Sequence, residues 1–140
     1  DTAGAGRWRG SPSLVRDFSY LGRPTEVQVR SDKRAHPPFG LAGGAAGRPS
    51  ITTVDSGGVL TERPVIGPSP LLTGDRFRHE LASGAGWGNP LERDPAAVLA
   101  DVRNGLTSAG RARADYGVVV RDDETLDDAR TAAERARRRR

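Results

Sequence analysis

The sequence has 140 residues, with 18 glycines, 10 prolines and no cysteine. That is the length of one domain, and its 35% hydrophobic share falls below the ~45–50% usual by a count that includes glycine, so the core must be thin and its surfaces suited to cover by another domain. The missing cysteines exclude a disulfide framework and thiolate chemistry and fit a reducing compartment, the cytoplasm. The net charge of +4 and the pI of about 10.5 suggest nucleic acid, but Arg135 and Arg137 to Arg140 more than account for that charge, and the 5% aromatics do not interleave with basic residues as a base-stacking platform requires.

In chain order, residues 1–12 (DTAGAGRWRGSP) are a glycine-rich opening. SLVRDFSYL (13–21) and TEVQVR (25–30) read as strands on either side of the Gly22-Arg23-Pro24 turn, and are expected to pair as a hairpin. Val27 and Val29 alternate with Glu26, Gln28 and Arg30, the period of a sheet with one wet face. Residues 31–50 (SDKRAHPPFGLAGGAAGRPS) form a long loop, because Pro37-Pro38 blocks helix and four glycines permit positive φ. A weaker hairpin follows, ITTV (51–54) and GVL (58–60) around Asp55-Ser56-Gly57; RFRHEL (76–81) then alternates Phe77, His79 and Leu81 against charged residues after a Gly74-Asp75 turn.

The character then becomes helical. Asp94 is a good N-cap, Pro95 suits the first helical position and Gly105 stands where a glycine stop belongs. Ser108 caps a short helix through Asp115, and Gly117 precedes the strand-like VVV (118–120). Thr125 and Asp128 open a last helix in an arrangement akin to a capping box. The predicted class is α+β: a β-rich part over 1–93, a small helical unit over 94–134 and a solvated, disordered basic tail over 135–140. No stretch approaches the ~18 apolar residues of a membrane span. The chain opens on Asp1 in mid-motif with no apolar signal segment, which reads as a piece of a longer protein.

Three clusters carry candidate chemistry. SGAGWGNPLERDP (83–95) places Gly84, Gly86 and Gly88 before a helix start, where free N–H groups can cradle phosphate. Its Gly-x-Gly-x-Gly spacing matches neither the dinucleotide fingerprint nor a P-loop, so a tight structural turn and a ligand-contacting loop both remain open. GAGRWRG (4–10) misses the fingerprint by one residue; Arg7 and Arg9 share a side of an extended strand and could grip one anionic group, or flank a packed Trp8. Asp32, Lys33, Arg34 and His36 put an acid, two cations and an imidazole on the rigid Pro-Pro loop, which suits a polar or phosphorylated substrate. An Asp32–Arg34 pair stabilising the loop is the alternative. One His and one carboxylate are too few for a metal site, His79 reads as structural, and no Ser/His/Asp set or catalytic carboxylate pair can be assigned.

The series GAGRWRGSPSLVRDF, SDKRAHPPFGLAGGAAGRPS, LLTGDRFRHELASGAGWGNPLERDPAAVLADVRNGL and ADYGVVV resembles the C-terminal region of hydantoinase B/oxoprolinase proteins. The pairing of the glycine-rich NPLERDP block with DYGVVV carries the resemblance. It implies part of an ATP-dependent cyclic-amide hydrolase acting on a hydantoin or 5-oxoproline. In such an enzyme an A-type, actin-like ATPase subunit or fused domain phosphorylates the amide oxygen and the B-type subunit helps complete ring opening. Acetone and acetophenone carboxylases are relatives that activate a ketone in the same way. ATP and a divalent metal are then expected in the complete enzyme, with none bound by this segment. The remaining N-terminal part of the B subunit is a further partner, and the segment alone is expected to be inactive or to serve as an assembly piece docking the ATPase. This sequence has Ser11 where the family usually has glycine, Lys33 where it favours Arg, Ala85 for a frequent glycine and Asn89 for a frequent Asp.

Overall fold

The computed structural model describes residues 1–64 and 66–139. Among them six strands precede three α-helices: β1 (Val15–Ser19), β2 (Thr25–Arg30), β3 (Ile51–Ser56), β4 (Val59–Glu62), β5 (Ile66–Leu71), β6 (Arg76–Glu80), α1 (Pro95–Arg103), α2 (Ala109–Tyr116) and α3 (Asp128–Arg138). This is the α+β arrangement read from the sequence. The strands are all antiparallel, in a four-stranded sheet of order β1-β6-β3-β4 and a two-stranded sheet β2-β5.

The β3–β4 hairpin forms, but Asp55 and Ser56 extend β3 and the turn lies at Gly57 and Gly58, at φ 60° and 90°. The β1–β2 hairpin does not form. β1 pairs with β6 (Phe18 opposite Phe77), whereas β2 pairs with β5 (Val27 opposite Ser69). The chain changes sheets at Gly22-Arg23-Pro24 and again at residues 72–75, where Gly74 N donates to Tyr20 O and Tyr20 N to Asp75 O, both at 2.7 Å. Crossing lets the apolar side of β2 face the apolar side of β6 and β3, so Val29, Val54, Leu71 and Phe77 close one core, with Tyr20 and Val27 against it. A hairpin would have left those faces side by side with nothing to cover them. The sequence reading missed β5, whose Pro68 and Pro70 argue against a strand; it is tolerated because β5 pairs only with β2 and Pro is admitted on an edge.

On the outer face of the larger sheet, Asp17 accepts from Arg76 Nε at 2.7 Å and from Arg78 Nη1 at 2.9 Å, and Arg78 also bonds Glu80. The hydrogen bond from Arg76, reinforced by Arg78, holds the Asp17 carboxyl at about 2.

The helical unit is fixed by its caps. Asp94 accepts from Ala96 N at 2.9 Å, and α1 ends with Gly105 N to Val102 O and Leu106 N to Asp101 O, both 2.9 Å, the paired bonds of a Schellman stop. Ser108 caps α2, and Gly117 ends it at φ 63°. The cap of α3 is Asp127, which accepts from Arg130 N at 3.0 Å. The Thr125 hydroxyl instead donates to Asp123 at 2.6 Å, because positive φ at Glu124 folds that stretch into a turn. The VVV stretch makes one bridge, Val120 to Leu126, since its partner runs directly into α3. Val118 is instead buried with Ala5, Val98, Ala112 and Tyr116 in a second core.

The basic tail is also corrected. Residues 135–138 are the last turn of α3, while Arg140 lies outside the described residues. Arg135 donates to Tyr116 O (3.0 Å) and Arg93 O (2.7 Å), and Arg138 to Ala114 O (2.6 Å). The C-terminal carbonyls of α2 have no helical N–H partners and attract cations; this is what draws these arginines in. Glu134, held at about 2 by Arg137 and Arg138, balances them.

Candidate functional site

Between the two cores, residues 4–10, 40–47 and 83–88 lie backbone against backbone. Trp8 and Trp87 exchange both N–H···O bonds at 2.9 Å, Gly4 N donates to Gly84 O at 2.9 Å, Arg7 N to Gly88 O at 3.1 Å and Leu41 N to Gly86 O at 3.1 Å. The glycines are there because side chains would not fit. A Cβ on Gly86 would lie 1.9 Å from the Ala5 carbonyl oxygen, on Gly10 2.0 Å from that of Gly84, and on Gly44 2.2 Å from that of Gly86. The three N–H groups that could have formed an anion cradle are engaged: Gly84 with Ser11 O, Gly86 with Ala45 O and Gly88 with Leu41 O, each at 2.9 Å. Gly84, Gly86 and Gly88 therefore lock three chain segments together.

The lock leaves large apolar groups outside. Trp8 is 63% exposed and Trp87 49%, so Trp8 is not the packed residue that one reading of its flanking arginines assumed. Bridge pairing places Trp8, Trp87 and Leu41 on neighbouring strands, and Leu41 is also exposed.

Arg7 and Arg9 do not grip one anion together. Arg9 makes a two-pronged ion pair with Asp101 on α1, Nε–Oδ2 at 3.0 Å and Nη2–Oδ1 at 3.1 Å, and Arg93 Nη2 joins at 2.9 Å. Asp101 is buried, so this triangle ties the glycine lock to the helical unit. Arg7 reaches toward Glu92 at 3.9 Å. Asp101 was not singled out from sequence, although the signal existed: it follows Val98 by three and precedes Val102 on the inward face of α1, and an acid there requires a partner.

The four charged residues of the Pro-Pro loop separate. Arg34 turns inward, donating to Ser50 O at 3.3 Å and to Arg63 O, with Glu62 Oε1 at 3.2 Å. The alternative pair, Asp32–Arg34, is replaced by this link to the end of β4. Asp32, Lys33 and His36 are exposed. The loop is nevertheless continuous with the lock, since Ser50 N donates to Lys33 O, Gly47 N to Pro38 O and Ser83 N to Arg48 O. His79 bonds Thr52 Oγ1 through Nδ1 at 2.8 Å. Burial, with Arg16 and Arg34 nearby, pushes its pKa down.

Whether this site fits a metal or nucleotide follows from its donors. Asp32 and His36 stand alone as an exposed acid and imidazole, and no group of three His, Cys, Asp or Glu side chains converges among the described residues. With the glycine N–H groups also committed, the residues present do not fit ATP or a divalent metal. No helix among the described residues is long and apolar enough to cross a membrane.

Known proteins resemble this chain along most of its length. Caprolactamase subunit beta of Pseudomonas jessenii is 37% identical over 145 aligned residues, 97% of this chain and 24% of that protein. The crystal structure of the ATP-dependent caprolactamase from Pseudomonas jessenii superposes over 94% of this chain and 24% of that one, with a TM-score of 0.76 and 30% identity. Nucleotide-free acetone carboxylase superposes over 99% of this chain and 23% of that one, with a TM-score of 0.77; at 21% identity this shows a shared fold. The chain thus spans about a quarter of the length of these proteins. The model of the hydantoinase B/oxoprolinase family matches residues 1–90. By that match, over well more than half of its length, the chain belongs to the hydantoinase B/oxoprolinase family.

Proposed function

We propose that this chain acts as one segment of a B-type subunit in an ATP-dependent, cytoplasmic amidohydrolase that opens cyclic amides. The observation that carries the reading is its 37% identity, along 97% of its length, to a caprolactamase subunit beta. An amide ring resists water because its carbonyl carbon is a weak electrophile, and phosphorylation of the carbonyl oxygen by ATP would remove that resistance. ATP and the divalent metal belong, in this reading, to an A-type actin-like ATPase and to the remaining N-terminal part of the B subunit. Within this chain Asp32, Lys33 and His36 are the exposed polar side chains available to substrate, Arg34 holds their loop, and Gly84, Gly86 and Gly88 brace it through the backbone.

Reconstitution of this chain with the other two components tests the reading, with ATP turnover measured against caprolactam, a hydantoin, 5-oxoproline and acetone with bicarbonate. Amide-dependent turnover is expected only from the complete set. Turnover by the chain alone, or turnover confined to the ketone, overturns it.

A second reading, an assembly segment that docks the ATPase subunit, is favoured by the exposed Trp8, Leu41 and Trp87. Lys33→Ala with His36→Ala separates the two. A kcat/KM loss of about 10-fold, ~1.4 kcal/mol, with unchanged melting supports a substrate role. Unchanged kinetics, together with lost co-elution in Trp87→Ala, supports docking.

A further inference from the structure

Where the edge strands β1 and β2 part, the two sheets leave a groove of about 320 Å³. Its wall is the stacked pair Phe18 and Phe77, ring centres 5.0 Å apart, and Val27 and Val29 line it from the opposite sheet. Phe18 remains 45% exposed, so the stack presents apolar surface that the fold does not cover. Arg16, Arg30 and His79 also line the groove. Register explains the gathering: Arg16 is opposite His79 and Phe18 opposite Phe77, all on the face of the larger sheet turned toward β2. The acids of β1 and β6 alternate to the other face, where Asp17 is held by Arg76 and Arg78 and Glu80 by Arg78. Among the described residues, Arg16 has no acidic partner within ion-pair distance, so its charge borders an apolar groove with no ion pair to neutralise it.

We propose that this groove binds a small organic carboxylate, its apolar body against Phe18, Phe77 and Val27 and its carboxylate on Arg16, at the rim that Arg30 also lines. The volume is that of a small-molecule site, and a guanidinium is the side chain best shaped to receive a carboxylate in two parallel hydrogen bonds. His79 is committed to Thr52 through Nδ1 and kept neutral by its surroundings, which leaves the arginines to carry the charge recognition. The proposal does not depend on the reaction suggested above, since none of the groove's lining residues belongs to the glycine lock.

Titration of the ¹⁵N-labelled chain with hexanoate and with hexanamide, followed by amide chemical shifts, tests it. Hexanoate is expected to shift residues of β1, β2 and β6 saturably, with hexanamide weaker by about tenfold or more, the usual order for losing a charge-assisted pair. Arg16→Gln with Arg30→Gln should weaken hexanoate to the level of the amide without changing the melt, as both side chains are exposed. Equal affinity for acid and amide, shifts confined to other surfaces, or no saturation overturns the proposal. Saturation only by an extended acidic peptide overturns it too, in favour of strand docking at the β1 edge. Should the double variant fail to fold, the acid-to-amide comparison on the unaltered chain still decides.

Discussion

Gly86→Ala should be among the most damaging single-methyl additions in this protein. The added Cβ would lie 1.9 Å from Ala5 O and 2.4 Å from the Ala5 carbonyl carbon, both backbone atoms. Restoring ordinary contact needs a separation of more than about 1 Å, which carries 2.9 Å hydrogen bonds beyond useful range. The bonds at stake are Gly86 N to Ala45 O, Leu41 N to Gly86 O and Ala45 N to Ala5 O. At roughly 0.5–1.5 kcal/mol each, the loss is about 2–4 kcal/mol, a large part of the 5–15 kcal/mol typical of a domain. Gly110→Ala is the matched control. It adds the same methyl near the start of α2 with only Ser108 Oγ in reach, at 3.9 Å, and should stabilise by about 0.5–1 kcal/mol through helix propensity. Gly84→Ala belongs between them, since its Cβ would meet Ser11 N at 2.7 Å. Urea denaturation followed by circular dichroism gives the order directly, and failure of Gly86→Ala to accumulate as folded protein is the same result in stronger form. A Gly86→Ala protein within about 1 kcal/mol of the parent would refute the steric reasoning.

Arg34→Ala should cost about 1–3 kcal/mol in the same assay, because Ser50 O and Arg63 O lose a charged donor, while Lys33→Ala stays within about 0.5 kcal/mol. Arg135→Ala should lower stability by about 1–2 kcal/mol by freeing the carbonyls of Tyr116 and Arg93; no change in the melt would return this residue to a solvated tail. Acid should weaken the larger sheet through Asp17: its folded pKa of about 2 lies below the ordinary 3.8, so its contribution is complete above the ordinary value and disappears as pH falls toward 2. Asp17→Asn should therefore melt lower than the parent at pH 5 and lose less between pH 5 and pH 2, as a pH series of melts would reveal.

Local signals were legible. Asp94, Pro95 and Gly105 bounded α1, Ser108 and Gly117 bounded α2, and the hairpin turn read at Asp55-Ser56-Gly57 lies within two residues of its place at Gly57-Gly58. In each case the determining interaction spans only a few residues. Pairing was not legible in the same way: β1 and β2 adjoin in sequence yet belong to different sheets, because partner choice was set by which apolar faces could be buried together. The glycine-rich segments were recognised, but as sources of flexible backbone or free N–H groups. Their close contact involves residues some eighty positions apart, which spacing does not encode. Arg34 and Arg135 show the same limit: the first read as a substrate cation or the partner of Asp32 and the second as a solvated tail residue, until main-chain carbonyls from distant segments supplied their partners.

The glycine lock also sets an order of events in time. Gly4 bonds Gly84 and Trp8 bonds Trp87, and neither bond can form until the chain has been made almost to residue 90. At about 5–20 residues per second, that interval is roughly 4–16 s. The β3–β4 hairpin needs no such wait, because its closure is local. The second core recruits Ala5 from the same segment against α1 and α2, so it too must await residues made after those of the lock. Long-range closures of this kind are slow, and the segment that carries Trp8 waits without its Trp87 partner meanwhile.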